Sequence, residues 1–298
     1  YGGVTQVVFD ALERAGEDVD ALIREKLAAY AEAGFVGSAN SAKWVKDMGL
    51  DCFEYSFGRG VRMTDESAIR IGNAFKNASV DISVHAPYYI NLANPSEELI
   101  DNSFDYILDS AKKEKLLGGK RVVFHPACQG KDTREVAVKR TAERMKRLCD
   151  RIYAAGLENM IFSPETMGKI AQIGTIEEIT EFCKTDKDFV PAVDFGHVNA
   201  REGGSLKTAK DYEERLSFMI SELGYERMKN FHVHFSKIEY GARGEIRHLT
   251  FEDERFGPEF PPLAETLKKL KLEPYVICES AGTQDEDALE MKRIYSSL

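Results

Sequence analysis

Residues 80–92 read VDISVHAPYYINL, a β-branched run that reaches His85 and is stopped by Pro87. The same design recurs down the chain. RVVFHP (121–126) reaches His125, MIFSPE (160–165) reaches Glu165, and PAVDF (191–195) carries Asp194, with His197 following in VDFGHVNA. NFHVHF (230–235) carries His232 and His234, PYVICES (274–280) reaches Glu279, and CFEYSF (52–57) is a seventh run of this kind. The remaining histidine, His248, lies in GEIRHLTF beside Glu245. Histidines used only for packing would fall on helices as often as elsewhere. Imidazoles and carboxylates gathered at strand ends point instead to one multi-metal site.

Between the runs lie amphipathic stretches such as DESAIRIGNAFKNA, SFDYILDSAKKEKLL and PPLAETLKKLKL, with apolar residues three to four apart. Thr64-Asp65-Glu66 supplies a helix cap and an acidic first turn. Strand and helix alternating every ~35 residues predict βαβ units around a parallel sheet. Seven strands and one nearer the start predict a single-domain α/β protein, a (β/α)8 barrel whose active site lies at the C-terminal strand ends. A doubly wound sheet would gather function at one switch point, whereas ligand-type residues follow six of these strands. AGFVGSAN (33–40) and TQVVF (5–9) are the two candidates for the first strand. We assign residues 31–298 to the barrel and 1–30 to an extension of undefined structure.

Composition bounds the function. A chain of 298 residues that is 43% hydrophobic and 30% charged has the make-up of a globular protein. A formal charge of −10 argues against general electrostatic capture of nucleic acid, but bound cations can invert the local field. No run of about 18 apolar residues predicts a membrane span, and YGGVTQVVFDALERAGEDVD does not read as a secretory signal. Five cysteines without C-x-x-C spacing read as reduced thiols of a cytoplasmic protein, with Cys128 expected to be small and buried. No obligate protein partner is inferred.

Imidazole and carboxylate donors without cysteine suit Zn2+, with Mn2+ or Fe2+ as alternatives. The donors exceed what one ion needs, so two or three ions are expected, a known arrangement for hydrolysing phosphodiesters. His232 and His234 are two apart on one strand and point to the same side. Buried at the end of PYVICES, Glu279 requires a metal or a basic partner. The polar segment 238–261 is expected to fold over the site.

At these motifs the sequence resembles the endonuclease IV family of the xylose isomerase-like barrels. HAPYYINLANP, FHP, the D-x-x-H of Asp194 and His197, the H-x-x-x-x-K of His232 and Lys237, and Glu279 follow in that family's order over roughly residues 33–298. The resemblance implies a (β/α)8 barrel with three zinc ions that hydrolyses damaged double-stranded DNA 5′ to abasic sites through a metal-activated hydroxide. It implies that His85, His125 and Glu165 hold one ion, and that Glu165, Asp194, His232 and Glu279 hold the second, with Glu165 bridging. His197 and His248 would hold the third, and Glu279 and Glu165 would be catalytic. Tyr88 matches an aromatic used beside the flipped-out site. Lys237 and Arg247, with Arg59, Arg62 and Arg243, offer phosphate contacts, and His234 joins the substrate-binding set.

Four departures stand out. The fifth-strand motif E-N-T-A-G is here Pro164-Glu165-Thr166-Met167-Gly168, and HPACQG replaces another polar stretch. The third-ion motif D-x-H lacks its aspartate in Ile246-Arg247-His248, so Glu245 is the expected substitute, reaching from one residue earlier. The segment GRGVRMTDES is short where repair members carry a longer basic loop. The alternatives are a divalent-metal sugar isomerase or epimerase, acting on a small sugar or sugar phosphate through Glu165 and Glu279, and a metal-bearing binding protein without catalysis.

Overall fold

A computed structural model describes residues 38–298. The TQVVF candidate and the extension over residues 1–30 lie outside the described residues, as does most of AGFVGSAN. Residues 38–40 of AGFVGSAN open a helix rather than continue a strand.

The described chain alternates strand and helix. Helix α1 (Ser38–Asp47) leads to β1 (Cys52–Ser56), followed by α2 (Asp65–Ala78), β2 (Asp81–His85), α3 (Glu97–Leu117) and β3 (Arg121–Phe124). A short β4 (Ala127–Cys128) precedes α4 (Arg134–Ala154) and β5 (Ile161–Pro164); β6 (Gln172–Ile173) and α5 (Ile176–Cys183) come next. After β7 (Ala192–Asp194) stand α6 (Phe195–Arg201), α7 (Ala209–Leu223) and α8 (Tyr225–Lys229). The chain closes with β8 (His232–Phe235), the hairpin β9 (Ile238–Gly241) and β10 (Gly244–His248), α9 (Phe260–Leu270), β11 (Tyr275–Cys278) and α10 (Gln284–Ser297).

Seven parallel strands build the barrel wall among the described residues. Strands β1, β2, β3 and β5 pair in that order, as do β7, β8 and β11. Parallel bridges Phe162↔Phe189 and Glu165↔Ala192 join the two groups. At the other seam the Cys52 thiol reaches the Val276 carbonyl at 3.8 Å, so β1 lies beside β11. The fold is a TIM barrel in a single domain.

Local sequence accounts for these elements. Buried Val84, Val122, Phe124, Phe162, Val193 and Val233 fit strands covered on both faces. The Thr64 hydroxyl caps α2 by accepting from the Ser67 amide at 3.2 Å. Helices pack outside through Phe75, Phe104, Leu148, Phe182 and Leu263, all buried.

Register then decides which side chains share a level inside the barrel. Glu54 pairs with Ser83 and Ser56 with His85; Asp194 pairs with His234, and His234 with Ile277. His232 sits one level lower, opposite Ala192 and Tyr275. That lower level is polar, Glu54 meeting Ser83 at 2.9 Å and His232 at 3.1 Å, whereas barrel interiors are commonly filled by branched apolar residues.

Cys128 departs from the expected burial. It lies on the two-residue strand β4 and is exposed, because that strand belongs to a loop ladder at the barrel end rather than to the wall.

Candidate metal centre at the C-terminal end of the barrel

Three donor groups converge where the strands end, and Glu165 belongs to two of them. Its Oε2 lies 3.1 Å from His85 Nε2 and 3.2 Å from His125 Nε2. Its Oε1 lies 3.1 Å from His234 Nδ1 and 3.4 Å from His197 Nδ1. Burial alone would raise the Glu165 pKa, yet His234, His125 and His197 hold it well below the usual carboxylate range.

The second group is Glu165, Asp194, His234 and Glu279. Asp194 caps α6 by accepting the His197 amide on Oδ1 at 2.8 Å. Its other oxygen, Oδ2, is buried without a hydrogen bond and faces His197 Nδ1 at 3.3 Å. Burial pushes Glu279 up to about 8, with Glu165 and Asp194 adding repulsion and His234 drawing it down. Three carboxylates crowd against the imidazoles of His234 and His197, a site rich in negative charge. A divalent cation fits that set, and its all-nitrogen-and-oxygen chemistry suits a borderline or hard ion.

The third group is His197, Glu245 and His248. His197 Nδ1 lies 2.9 Å from the Thr166 carbonyl, the partner that fixes a tautomer with Nε2 free to bind. Glu245 Oε2 stands 3.5 Å from that Nε2. Strand β10 shows how Glu245 can act from one residue early. Glu245 pairs with Tyr240 and Arg247 with Glu239, so Ile246 is bulged out and exposed. The bulge inserts one residue into the period-two alternation, bringing Glu245 and His248 to the same face. The hairpin is seated by the Glu245 amide, which donates to the Gly168 carbonyl at 3.1 Å, and by the Ile170 amide, which donates to the Arg243 carbonyl at 3.0 Å. Gly244 approaches so closely that a Cβ there would stand 2.1 Å from the Gly168 oxygen.

The remaining expectations fare differently. Tyr88 is 49% exposed and its ring lies 5.4 Å from both His85 and His125, so it stands at the rim of the site. His232, expected among the second set, is instead one level down with its Nε2 3.1 Å from Glu54 Oε2; His234, expected to meet substrate, stands among the donors. Counting H-x-x-x-x-K from Lys237 selects His232, but the β7–β8 register puts His234 opposite Asp194. Lys237 is buried and tied to the Asp253 carbonyl at 2.7 Å and to Glu259 at 2.9 Å. Arg247 is exposed and bonded to Glu239 at 2.7 Å across the hairpin. Both cations are engaged by the protein rather than presented to a phosphate. Glu54 was missed, although a carboxylate inside an apolar β-run demands a partner.

A family model described as xylose isomerase-like TIM barrel matches residues 42–295. The chain belongs to that family. Among relatives of this xylose isomerase-like barrel, an uncharacterized protein of Methanocaldococcus jannaschii is 34% identical over 256 residues, covering 85% of this chain and 90% of that protein. A probable endonuclease 4 of Listeria monocytogenes is 26% identical over 208 residues, covering 66% of this chain and 67% of its own length. Endonuclease IV from Thermus thermophilus shares the fold at a TM-score of 0.64 and 19% identity, with 88% of this chain and 93% of that one covered. D-psicose 3-epimerase from Clostridium cellulolyticum superposes at 0.62 with 15% identity, covering 87% and 92%. The named proteins are enzymes, endonuclease 4 among the sequence relatives and an endonuclease IV and a sugar epimerase among those that share the fold. No helix among the described residues is long and apolar enough to cross a membrane.

Proposed function

We propose that this protein is a metal-dependent phosphodiesterase of the endonuclease IV type that cuts DNA on the 5′ side of abasic sites. The observation that carries this reading is the pair of imidazole-rich groups, His85/His125 and His197/Glu245/His248, flanking the four-donor set and joined to it around Glu165. A single-ion sugar enzyme has no need of those flanking donors. We assign zinc to the site, held by His85, His125 and Glu165, by Glu165, Asp194, His234 and Glu279, and by His197, Glu245 and His248. When bound, the ions supply Lewis acidity and a water acidic enough to attack near neutral pH.

The protein's own groups do the rest. Glu165 faces both neighbouring donor sets with separate oxygens and so fixes their spacing. Glu279 is the least buried of the second set, its side chain 29% exposed, and can hold or release a proton toward the open end of the barrel. Tyr88, its ring tilted beside those of His85 and His125, offers an aromatic face to an extruded sugar.

A second reading, sugar epimerisation through Glu165 and Glu279, is favoured by one feature. Lys237 and Arg247, expected on phosphates, are both paired with acids. Incubating zinc-loaded protein with a duplex containing one abasic site separates the two. The proposal expects a cut 5′ to the lesion that chelation abolishes. An intact duplex together with turnover of a ketose would overturn it.

A further inference from the structure

The polar level beneath the donor sets has a purpose that the donors themselves do not explain. His234 is wholly buried and held at both ring nitrogens. Nδ1 faces Glu165 Oε1 at 3.1 Å and Glu279 Oε1 at 3.4 Å, while Nε2 faces Glu54 Oε1 at 2.9 Å. Glu54 Oε2 is met by the Ser83 hydroxyl at 2.9 Å and by His232 Nε2 at 3.1 Å. A carboxylate ringed in this way can only accept, so each group around it donates. His232 then carries its proton on Nε2 and is left with a bare Nδ1. That atom is indeed buried without a partner, which a bare nitrogen tolerates more readily than an N–H.

The same count settles His234. Its Nε2 lies 3.2 Å from His232 Nε2, which looks like a bond between the rings. Both nitrogens lie as close or closer to Glu54, and each must be a donor to satisfy it. The approach is therefore two N–H groups converging on one carboxylate. Nδ1 faces the Glu165 and Glu279 carboxylates in turn and donates there, a proton that a cation bound at the upper level would displace, leaving Nε2–H on Glu54 and the Nδ1 lone pair toward the ion.

We propose that Glu54 is the positioning residue of the metal centre, locking His234 in the Nε2–H tautomer and in the orientation that makes Nδ1 a metal donor. Carboxylate, imidazole and cation in line is a general way to fix a ligand's tautomer and raise its basicity. Ser83 and His232 in turn hold Glu54, so the chain of order runs from β1 and β2 through β8 into the site. This inference rests on the reading that Glu165, Asp194, His234 and Glu279 hold a cation.

The test compares wild type with Glu54→Ala and the isosteric Glu54→Gln, which serves if the alanine variant fails to fold. Zinc affinity is measured against a competing chelator, the ion count is taken at saturation, and proton NMR of the zinc-loaded protein reads the hydrogen-bonded Nε2–H of His234. The proposal expects one ion to bind roughly 10–100-fold more weakly in Glu54→Ala, with a smaller loss in Glu54→Gln. The saturated ion count stays unchanged, and the downfield Nε2–H resonance of His234 is lost in Glu54→Ala. Wild-type affinity and an unchanged Nε2–H resonance in both variants would overturn it. Loss of one whole ion would also overturn it, since Glu54, His232 and His234 would then be a metal site in their own right. A wild-type protein that binds no metal removes the reading beneath it, and the inference falls with that reading.

Discussion

Replacing Gly168 with alanine should disable the third donor group while leaving the other two in place. A Cβ at this position would stand 2.7 Å from Glu245 Cβ, 2.8 Å from Glu245 Oε2 and 2.9 Å from His197 Cδ2. Ordinary contact begins at 3.4 Å, so the hairpin must retreat by about 0.7 Å. The crowded atom is Glu245 Cβ, next to the backbone, so a rotamer change of the carboxylate cannot relieve it. Metal–ligand distances tolerate only ~0.2 Å, and a shift of this size takes Glu245 out of range. Overpacking of this kind costs about 1–3 kcal/mol, and for a domain this large each kcal/mol lowers Tm by roughly 2–4 °C. Calorimetry and zinc titration in chelator-buffered solution check both parts. The expected result is a modestly destabilised protein whose third-group ion binds at least ~10-fold more weakly. A folded variant retaining every ion at wild-type affinity would refute the claim that hairpin docking builds this group.

Three further outcomes are expected. Glu165→Gln removes the charge shared by two donor sets, so metal analysis should find both the His85/His125 ion and the Asp194/His234/Glu279 ion lost or greatly weakened; loss of one alone would contradict the bridging role. Glu279→Gln should lower kcat by about 10²–10⁴-fold, in the range of general acid–base catalysis, and change the pH–rate profile; wild-type turnover would remove Glu279 from the chemistry. Glu114 lies on α3, away from the donors, and burial raises its pKa well above 4.5, while its Oε2 has no partner. The folded state therefore keeps a proton that the unfolded chain releases above pH 4.5, and stability falls as pH rises from there toward the folded value. Glu114→Gln should flatten that slope and gain about 1 kcal/mol near pH 8, and a melting series with the wild-type slope would contradict it.

Much of the barrel was legible because its strands are buried on both faces and read as β-branched runs, each ending at a residue that cannot be buried alone. His85, His125, Glu165, Asp194 and Glu279 stood out for that reason. The choice between His232 and His234 was not legible. Both lie on the same side of β8, and only pairing with β7, set by distant packing, shows which one reaches the level of Asp194. The reach of Glu245 could be expected, but the bulge at Ile246 that delivers it could not, since one inserted residue in a short hairpin leaves no periodic trace. Glu54 was hidden by its position. It lies in mid-strand rather than at a strand end, and its partners come from β2 and β8.

The central claim is a multinuclear centre built around Glu165. Anomalous diffraction from zinc-loaded crystals tests it most directly. The account predicts three peaks, with Glu165 ligating two of them through separate oxygens and nitrogen ligands at about 2.0–2.1 Å. A single peak among Glu165, Asp194, His234 and Glu279, with His85, His125, His197 and His248 free of metal, would contradict it.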